Sequence, residues 1–156
     1  MNRKFLISIT FFALFALALH AQSADSVSRM ISTQKGSFGQ VSYFSATALG
    51  LVNDSASNEE AFNALKKAGI ISADTSDTVL SVIHLDELAL ILAKTWKINN
   101  SLMYKIMPSK RYAFNMLRAD GIFERNADPN TIPTGREVLN LINSTIEKAA
   151  SFKGAK

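Results

Sequence analysis

The chain has 156 residues, 17 basic and 13 acidic side chains and no cysteine, and 47% of its residues are hydrophobic. This length suits one domain with a real core but not two large ones. The absence of cysteine excludes disulfide bonds and a lipid-modified cysteine, and the modest charge excludes the strongly basic face that nucleic-acid binding needs.

The first residues have the pattern of a secretory signal peptide. Arg3 and Lys4 precede an apolar run from Phe5 to Leu19, and small residues follow from Ala21. We predict a signal peptide over residues 1–21 with cleavage near residues 21–24; an uncleaved N-terminal anchor is the alternative. Cleavage would leave 15 basic and 13 acidic residues, a net charge near +2. No later stretch approaches membrane length, so we expect no transmembrane segment after cleavage and an exported protein in the periplasm or at the surface of a bacterium.

The rest of the chain is predicted to be all-α, because proline and glycine are scarce within long segments of helical periodicity. We place one helical domain at 25–150 and a tail at 151–156. The helix at 84–97 is apolar nearly all round, which is typical of a helix in the middle of a core. The predicted helices are 25–33, 42–52, 58–68, 84–97, 109–119 and 134–150.

Helix starts are marked by capping residues. Ser57 with Glu60, and Thr134 with Glu137, fit the capping box, in which a hydroxyl and a carboxylate satisfy the free N–H groups of a first turn. We expect His84 and Glu87 to have the same role at the third such start.

An internal repeat is the clearest feature of the chain. Residues 60–70 and 112–122 share six of eleven positions, including Ala-Phe-Asn and a terminal Gly-Ile. We predict that Gly69 and Gly121 each stop a helix in the left-handed conformation, after which a polar loop leads to a second helix. A degenerate third copy would have Gly36 ending its first helix and Val41-Ser42 beginning its second. Such helix pairs bury each other's apolar faces. The predicted repeats cover about 25–53, 57–98 and 108–149.

This pattern resembles the S-layer homology (SLH) domain, whose repeat is a helix ending in Gly-Ile, a polar loop, and a helix opening with Ile-Thr-Arg-Ala-Glu. Residues 83–87 (Ile-His-Leu-Asp-Glu) keep the Ile and the Glu, and residues 133–137 (Pro-Thr-Gly-Arg-Glu) keep the Thr and the Glu. The resemblance covers about 41–145. It implies three repeats in one compact bundle and attachment to cell-wall polysaccharide or peptidoglycan. The positions that match the family's ligand-contacting Arg are Tyr43, Leu85 and Gly135, none of them basic.

Patterns of catalytic or metal chemistry are missing. After signal cleavage His84 is the one histidine left, no cysteine exists, and the acidic residues lie in loops or first helical turns with ordinary structural uses. We therefore predict no catalytic residue, no metal site and no cofactor, and keep a carboxylate-dependent hydrolase as a distant alternative.

Two surfaces are candidates for binding. The basic side chains Lys110, Arg111, Arg118 and Arg136 suit carboxylated or phosphorylated polymers. The adaptable side chains Leu102, Met103, Tyr104 and Met107 suit a protein partner. The sequence thus predicts an exported, non-enzymatic module that attaches to cell-wall glycan or to an envelope protein, with a periplasmic protein–protein adaptor or chaperone-like subunit as the alternative.

Overall fold

The computed structural model describes residues 27–154, with side chains as far as residue 152. The predicted signal peptide, its cleavage sites and the last two residues of the tail lie outside this range. Within it a single antiparallel bridge between Ser37 and Val82 is the only β-type pairing, so the predicted all-α class is confirmed. The helices are α1 (27–32), α2 (Phe38–Ala48), α3 (Asn58–Lys67), α4 (Leu85–Thr95), α5 (Leu102–Ile106), α6 (Lys110–Ala119) and α7 (Gly135–Gly154).

Helix α2 corrects the prediction for the first part of the chain. It begins at Phe38, four residues before the predicted start, and Val41-Ser42 therefore lies inside the helix and does not begin it. The reason is a capping box that the sequence analysis missed: the hydroxyl of Ser37 accepts from the Gln40 N–H, and the Gln40 carboxamide accepts from the Ser37 N–H. Helix α7 also differs, since it runs to Gly154 through most of the predicted tail.

The capping groups of the later helices hold their first turns. Glu60 accepts from both the N–H and the hydroxyl of Ser57, and these bonds lower the pKa of Glu60. Glu137 has the same two contacts with Thr134. At α4 only half of this arrangement forms: Glu87 accepts from the His84 N–H at 3.1 Å, but the imidazole caps no helix N–H.

Helices α2, α3 and α6 are each followed by a glycine in the left-handed conformation, which we predicted for Gly69 and Gly121. Gly50, Gly69 and Gly121 have φ angles of 67°, 70° and 81°, which places them in the left-handed region. After each one, the next residue donates its N–H to a carbonyl five residues earlier, as in a Schellman motif. Lys97 ends α4 in the same conformation with φ 56° but without the freedom of glycine.

The core lies where the longer helices meet, with α4 at its centre. Helix α2 packs on α3, and α4 packs on α6. Leu88, Ala89 and Leu92 of α4 are fully buried, as their all-round apolar segment predicted. Phe38 and Phe62 join α2 to α3 edge to face, with ring centroids 6.3 Å apart.

The starts of α2, α4 and α7 are tied to one another in a closed cycle, which we call the helix-start ring. The first residue of each helix donates its N–H to a backbone carbonyl at 3.0 Å. Helix α2 donates to the segment before α4, α4 donates to the segment before α7, and α7 donates to the segment before α2. Each start therefore satisfies a free N–H group with backbone from another start. The pairs are Phe38 to Ser81, Leu85 to Thr131 and Gly135 to Thr33.

The inside of this ring is closely packed. The N–H of Ile83 donates to Gly36, and the N–H of Gly36 donates to Pro133 at 2.7 Å. A Cβ atom on Gly135 would overlap the backbone carbonyl oxygen of Met30, so only glycine fits there. No helix in the described part of the chain is long and apolar enough to cross a membrane.

Candidate ligand-binding clefts

Three clefts open beside the first two turns of α2, α4 and α7, and each is lined by the same three helix positions. Counted from the capping residue, these are the third, sixth and seventh positions, which share one helix face. The α7 cleft has a volume of about 490 Å³, the α2 cleft about 360 Å³ and the α4 cleft about 180 Å³. The residues at these positions are Glu137, Asn140 and Leu141 in α7; Gln40, Tyr43 and Phe44 in α2; and Glu87, Leu90 and Ile91 in α4.

The α7 cleft combines an apolar floor with a polar rim. Leu85, Ile122, Phe123 and Pro133 are buried beneath it. Amide, carboxylate and hydroxyl side chains stand around it, and most of them are exposed to solvent. Ligand sites of small molecules typically have this composition and a volume in this range. The rim residues are Glu124, Asn126, Asp128, Thr131, Glu137, Asn140 and Ser144.

The electrostatics of the α7 cleft are acidic. Three carboxylates line it, and no lysine or arginine is among the described residues that do. Glu137 uses one carboxylate oxygen for its capping contacts with Thr134, and Asp128 accepts from the N–H of Asn130 at 2.9 Å. Each of the three carboxylates has at least one oxygen that accepts no hydrogen bond from the described residues. The cleft therefore offers acceptors and amide donors but no cation for an anionic ligand.

The α4 cleft is lined on one side by a basic residue from α6. The Nζ atom of Lys110 lies 3.2 Å from a carboxylate oxygen of Asp86 and 3.6 Å from one of Glu87. Burial alone would lower the pKa of Lys110, but its hydrogen bonds to these carboxylates and their charges raise it overall. With Leu90 and Ile91 at the other positions, this cleft is small and mostly apolar.

The α2 cleft is intermediate in volume and is partly filled by aromatic rings. Tyr43 and Phe44 meet edge to face at 5.3 Å, and the Tyr43 hydroxyl donates to the Asp54 carbonyl. Arg29 and Gln40 supply its polar wall.

The predicted basic surface is not brought together as one site. Lys110 pairs with the acids of α4, and Arg118 stacks over Phe114 and donates to Asn115. Arg111 and Arg136 are exposed on different helices, α6 and α7.

The predicted partner surface splits into two parts. Tyr104 is buried, and burial raises the pKa of its phenol. Leu102, Met103 and Met107 are exposed on and after α5, together with Ile106, which the sequence analysis had not singled out. The short helix α5 was itself missed, because the predicted helices left residues 98–108 uncovered.

His84 takes part in no metal cluster. Its Nδ1 atom lies 3.2 Å from the Glu87 carboxylate, and within residues 27–154 no group of three or more His, Cys, Asp or Glu side chains could hold a metal ion.

The polar rim of the α7 cleft was missed by sequence reasoning. The signal was present in the spacing: Glu137, Asn140 and Ser144 follow one another at steps of three and four and so share one face of α7. Asn126 and Asp128 come from the preceding loop, and the sequence alone does not reveal that this loop folds against α7.

Comparison with known proteins adds no relative, since no family model, no curated protein and no solved structure matches this chain.

Proposed function

We propose that this protein is an exported, non-enzymatic module of three SLH-like helix pairs that attaches to glycan of the bacterial cell envelope through the α7 cleft. The observation that carries the proposal is the composition of that cleft: an apolar floor beneath a rim of amides, carboxylates and hydroxyls, without a basic side chain.

The helix-start ring supports the three-repeat interpretation. Three helices that start with a cap and a Glu or Gln three residues later donate in turn to one another's preceding segments. The glycine-stopped ends of α3 and α6 support the first-helix assignment of the second and third pairs. In this register the first pair would be α1 and α2, with Ser37 as the cap.

The corrected start of α2 changes which residue matches the family's ligand-contacting Arg in that pair. Phe38 takes this place instead of Tyr43, beside Leu85 and Gly135 in the other two pairs. Phe38 and Leu85 are buried, and Gly135 packs against Met30. Glycan recognition in this protein would therefore use other contacts than the Arg of the family.

The chemistry of the α7 cleft favours neutral or aminated sugars. Sugar hydroxyls both donate and accept, and the Asn and carboxylate side chains on the rim can pair with them. An acetamido methyl group or the apolar face of a pyranose would lie on the floor formed by Leu85, Phe123 and Pro133. A phosphorylated or carboxylated polymer would meet carboxylates without a compensating cation.

Cosedimentation with purified peptidoglycan sacculi tests this proposal. We expect the exported chain to pellet at about 0.15 M salt and to stay bound at about 1 M, because contacts through neutral hydrogen bonds are screened little. Arg111→Ala combined with Arg136→Ala should pellet like the parent chain. Protein that remains in the supernatant would contradict the proposal. Binding that is abolished by high salt and by the two Arg replacements would indicate that the basic side chains, and not the α7 cleft, bind the glycan.

A further inference from the structure

A second surface, distinct from the α7 cleft, consists of exposed apolar side chains at α5. Leu102 and Ile106 are 70% and 69% exposed, and Met103 and Met107 are 49% and 56% exposed. Large exposed apolar patches on soluble proteins mark interaction sites. We call Leu102, Met103, Ile106 and Met107 the α5 patch.

The α5 patch is held in place from beneath and is not a loose loop. Ser101 caps α5, and Tyr104 is 5% exposed and anchors the helix in the core. The carboxamide of Asn100 donates to both carboxylate oxygens of Asp120 at the end of α6, at 2.8 and 3.0 Å. The apolar side chains are thus presented outward by a fixed support.

The charge around the patch is positive. Residues 97–111 contain Lys97, Lys105, Lys110 and Arg111 and no acidic residue. Lys110 is paired with Asp86 and Glu87, and Asp120 lies at the base of the segment. The cations that remain for a partner are Lys97, Lys105 and Arg111, all of them exposed.

We propose that the α5 patch docks on an anionic phospholipid surface, with its four apolar side chains among the acyl chains and its lysines at the headgroups. Short amphipathic segments that combine large apolar residues with Lys or Arg bind anionic bilayers in this way. A second copy of the chain fits less well. A standard interface buries roughly 800 Å² on each partner from about 20–30 residues, which four side chains do not approach, and the basic flanks would repel each other.

A fluorescent label on the patch tests this docking directly. The chain has no cysteine, so Ile106→Cys gives one attachment point for an environment-sensitive dye. Leu80→Cys is the matched control, since Leu80 is 86% exposed on a different loop. The experiment uses the exported chain with vesicles of phosphatidylcholine alone and vesicles that also contain phosphatidylglycerol.

We expect a blue shift of the dye at position 106 with the anionic vesicles only, and no shift at position 80. Lys105→Ala should weaken the interaction roughly fivefold, the loss expected for one lysine near an anionic surface. Leu102→Asp should weaken it by roughly tenfold or more, because a carboxylate would enter the apolar layer, whereas Leu80→Asp should have no effect.

Several results would overturn the proposal. An unchanged dye spectrum with both kinds of vesicle would show that the patch does not meet lipid. A blue shift in the absence of vesicles would mean that another part of this chain or a second copy covers the patch, and sedimentation velocity would separate these two cases. An equal shift at positions 80 and 106 would place the contact elsewhere on the protein.

Discussion

The α7 and α4 clefts occupy equivalent places on two helices of the ring, yet the first is large with a polar rim and the second is small and mostly apolar. Both have Glu at the third helix position, where it caps the first turn. At the sixth position α7 has the exposed Asn140 and α4 has the partly buried Leu90. Lys110 from α6 lines the α4 cleft and pairs with Asp86 and Glu87.

The backbone sets where a cleft lies, and a few side chains decide what it can bind. The helix-start ring fixes the direction of each first turn, because its hydrogen bonds join backbone groups and depend little on side chains. The side chain at the sixth position takes no part in the ring. It is therefore a position at which one cleft can be polar while another is apolar.

The largest loss of stability is expected at Gly135, at the start of α7, where no space is left for a Cβ atom. Gly135→Ala would force its new methyl group into the Met30 carbonyl, so we expect a loss of about 3 kcal/mol in the free energy of unfolding. At the equivalent first position α4 has Leu85, which shows that the ring itself tolerates a side chain there. Urea denaturation would measure the loss, and a change within a few tenths of a kcal/mol would mean that α1 is not packed against Gly135.

The next effect concerns the residue at the sixth position. Leu90→Asn would make the α4 cleft resemble the α7 cleft, and we expect it to cost about 1 kcal/mol because apolar contact is lost and an amide is partly buried. The reciprocal change Asn140→Leu lies on an exposed position and should leave stability unchanged. Urea denaturation measures the free energy of unfolding of both variants. An equal loss of stability in the two would contradict the difference in packing between the two clefts.

An effect of comparable size, but of either sign, is expected at the helix ends. Gly69→Ala should cost about 1 kcal/mol, because φ 70° is unfavourable for a residue with a Cβ atom although no other atom stands within 4 Å of it. Lys97→Gly should stabilise the protein by a similar amount, since Lys97 adopts φ 56° at the end of α4. Lys97→Ala is the control and should change little. The midpoints of urea denaturation would measure these changes in stability. A destabilised Lys97→Gly variant would mean that the Lys97 side chain stabilises the end of α4.

The smallest effect concerns the ion pairs of Lys110 beside the α4 cleft. Lys110→Met should lower stability by a few tenths of a kcal/mol at neutral pH, because the lysine is 55% exposed and solvent screens its pairs. The pKa of Lys110 is raised in the folded state, so its contribution is fully present below the ordinary value of 10.5 and is lost as the pH rises through the raised value. The parent and variant unfolding curves should therefore converge above pH 10.5, and a difference that stayed constant would exclude charge as the cause.

The helices and their stops could be predicted because their signals are local. Gly69 and Gly121 stop α3 and α6, and Ser57 and Thr134 cap the helices that follow them. The start of α2 was missed because its capping box uses Gln40, and we took Gly36 for the end of a helix.

The candidate site could be predicted only in part, because clefts depend on contacts between distant segments. The basic residues were grouped by sequence, whereas Lys110 is drawn to Asp86 and Arg136 stands on another helix. Asn140 was predictable from its spacing after Glu137, but its position opposite Asp128 depends on the fold of the loop. Tyr104 was grouped with its neighbours as a partner surface, but its side chain is buried while Leu102, Met103 and Met107 are exposed.

Retention of the Asn140→Leu variant on peptidoglycan sacculi would show whether envelope glycan binds in the α7 cleft. Arg136→Ala serves as the control, since Arg136 is exposed on the same helix but does not line the cleft. We predict that Asn140→Leu remains folded and loses most of its retention, while Arg136→Ala pellets like the parent chain. Full retention of Asn140→Leu would contradict the account.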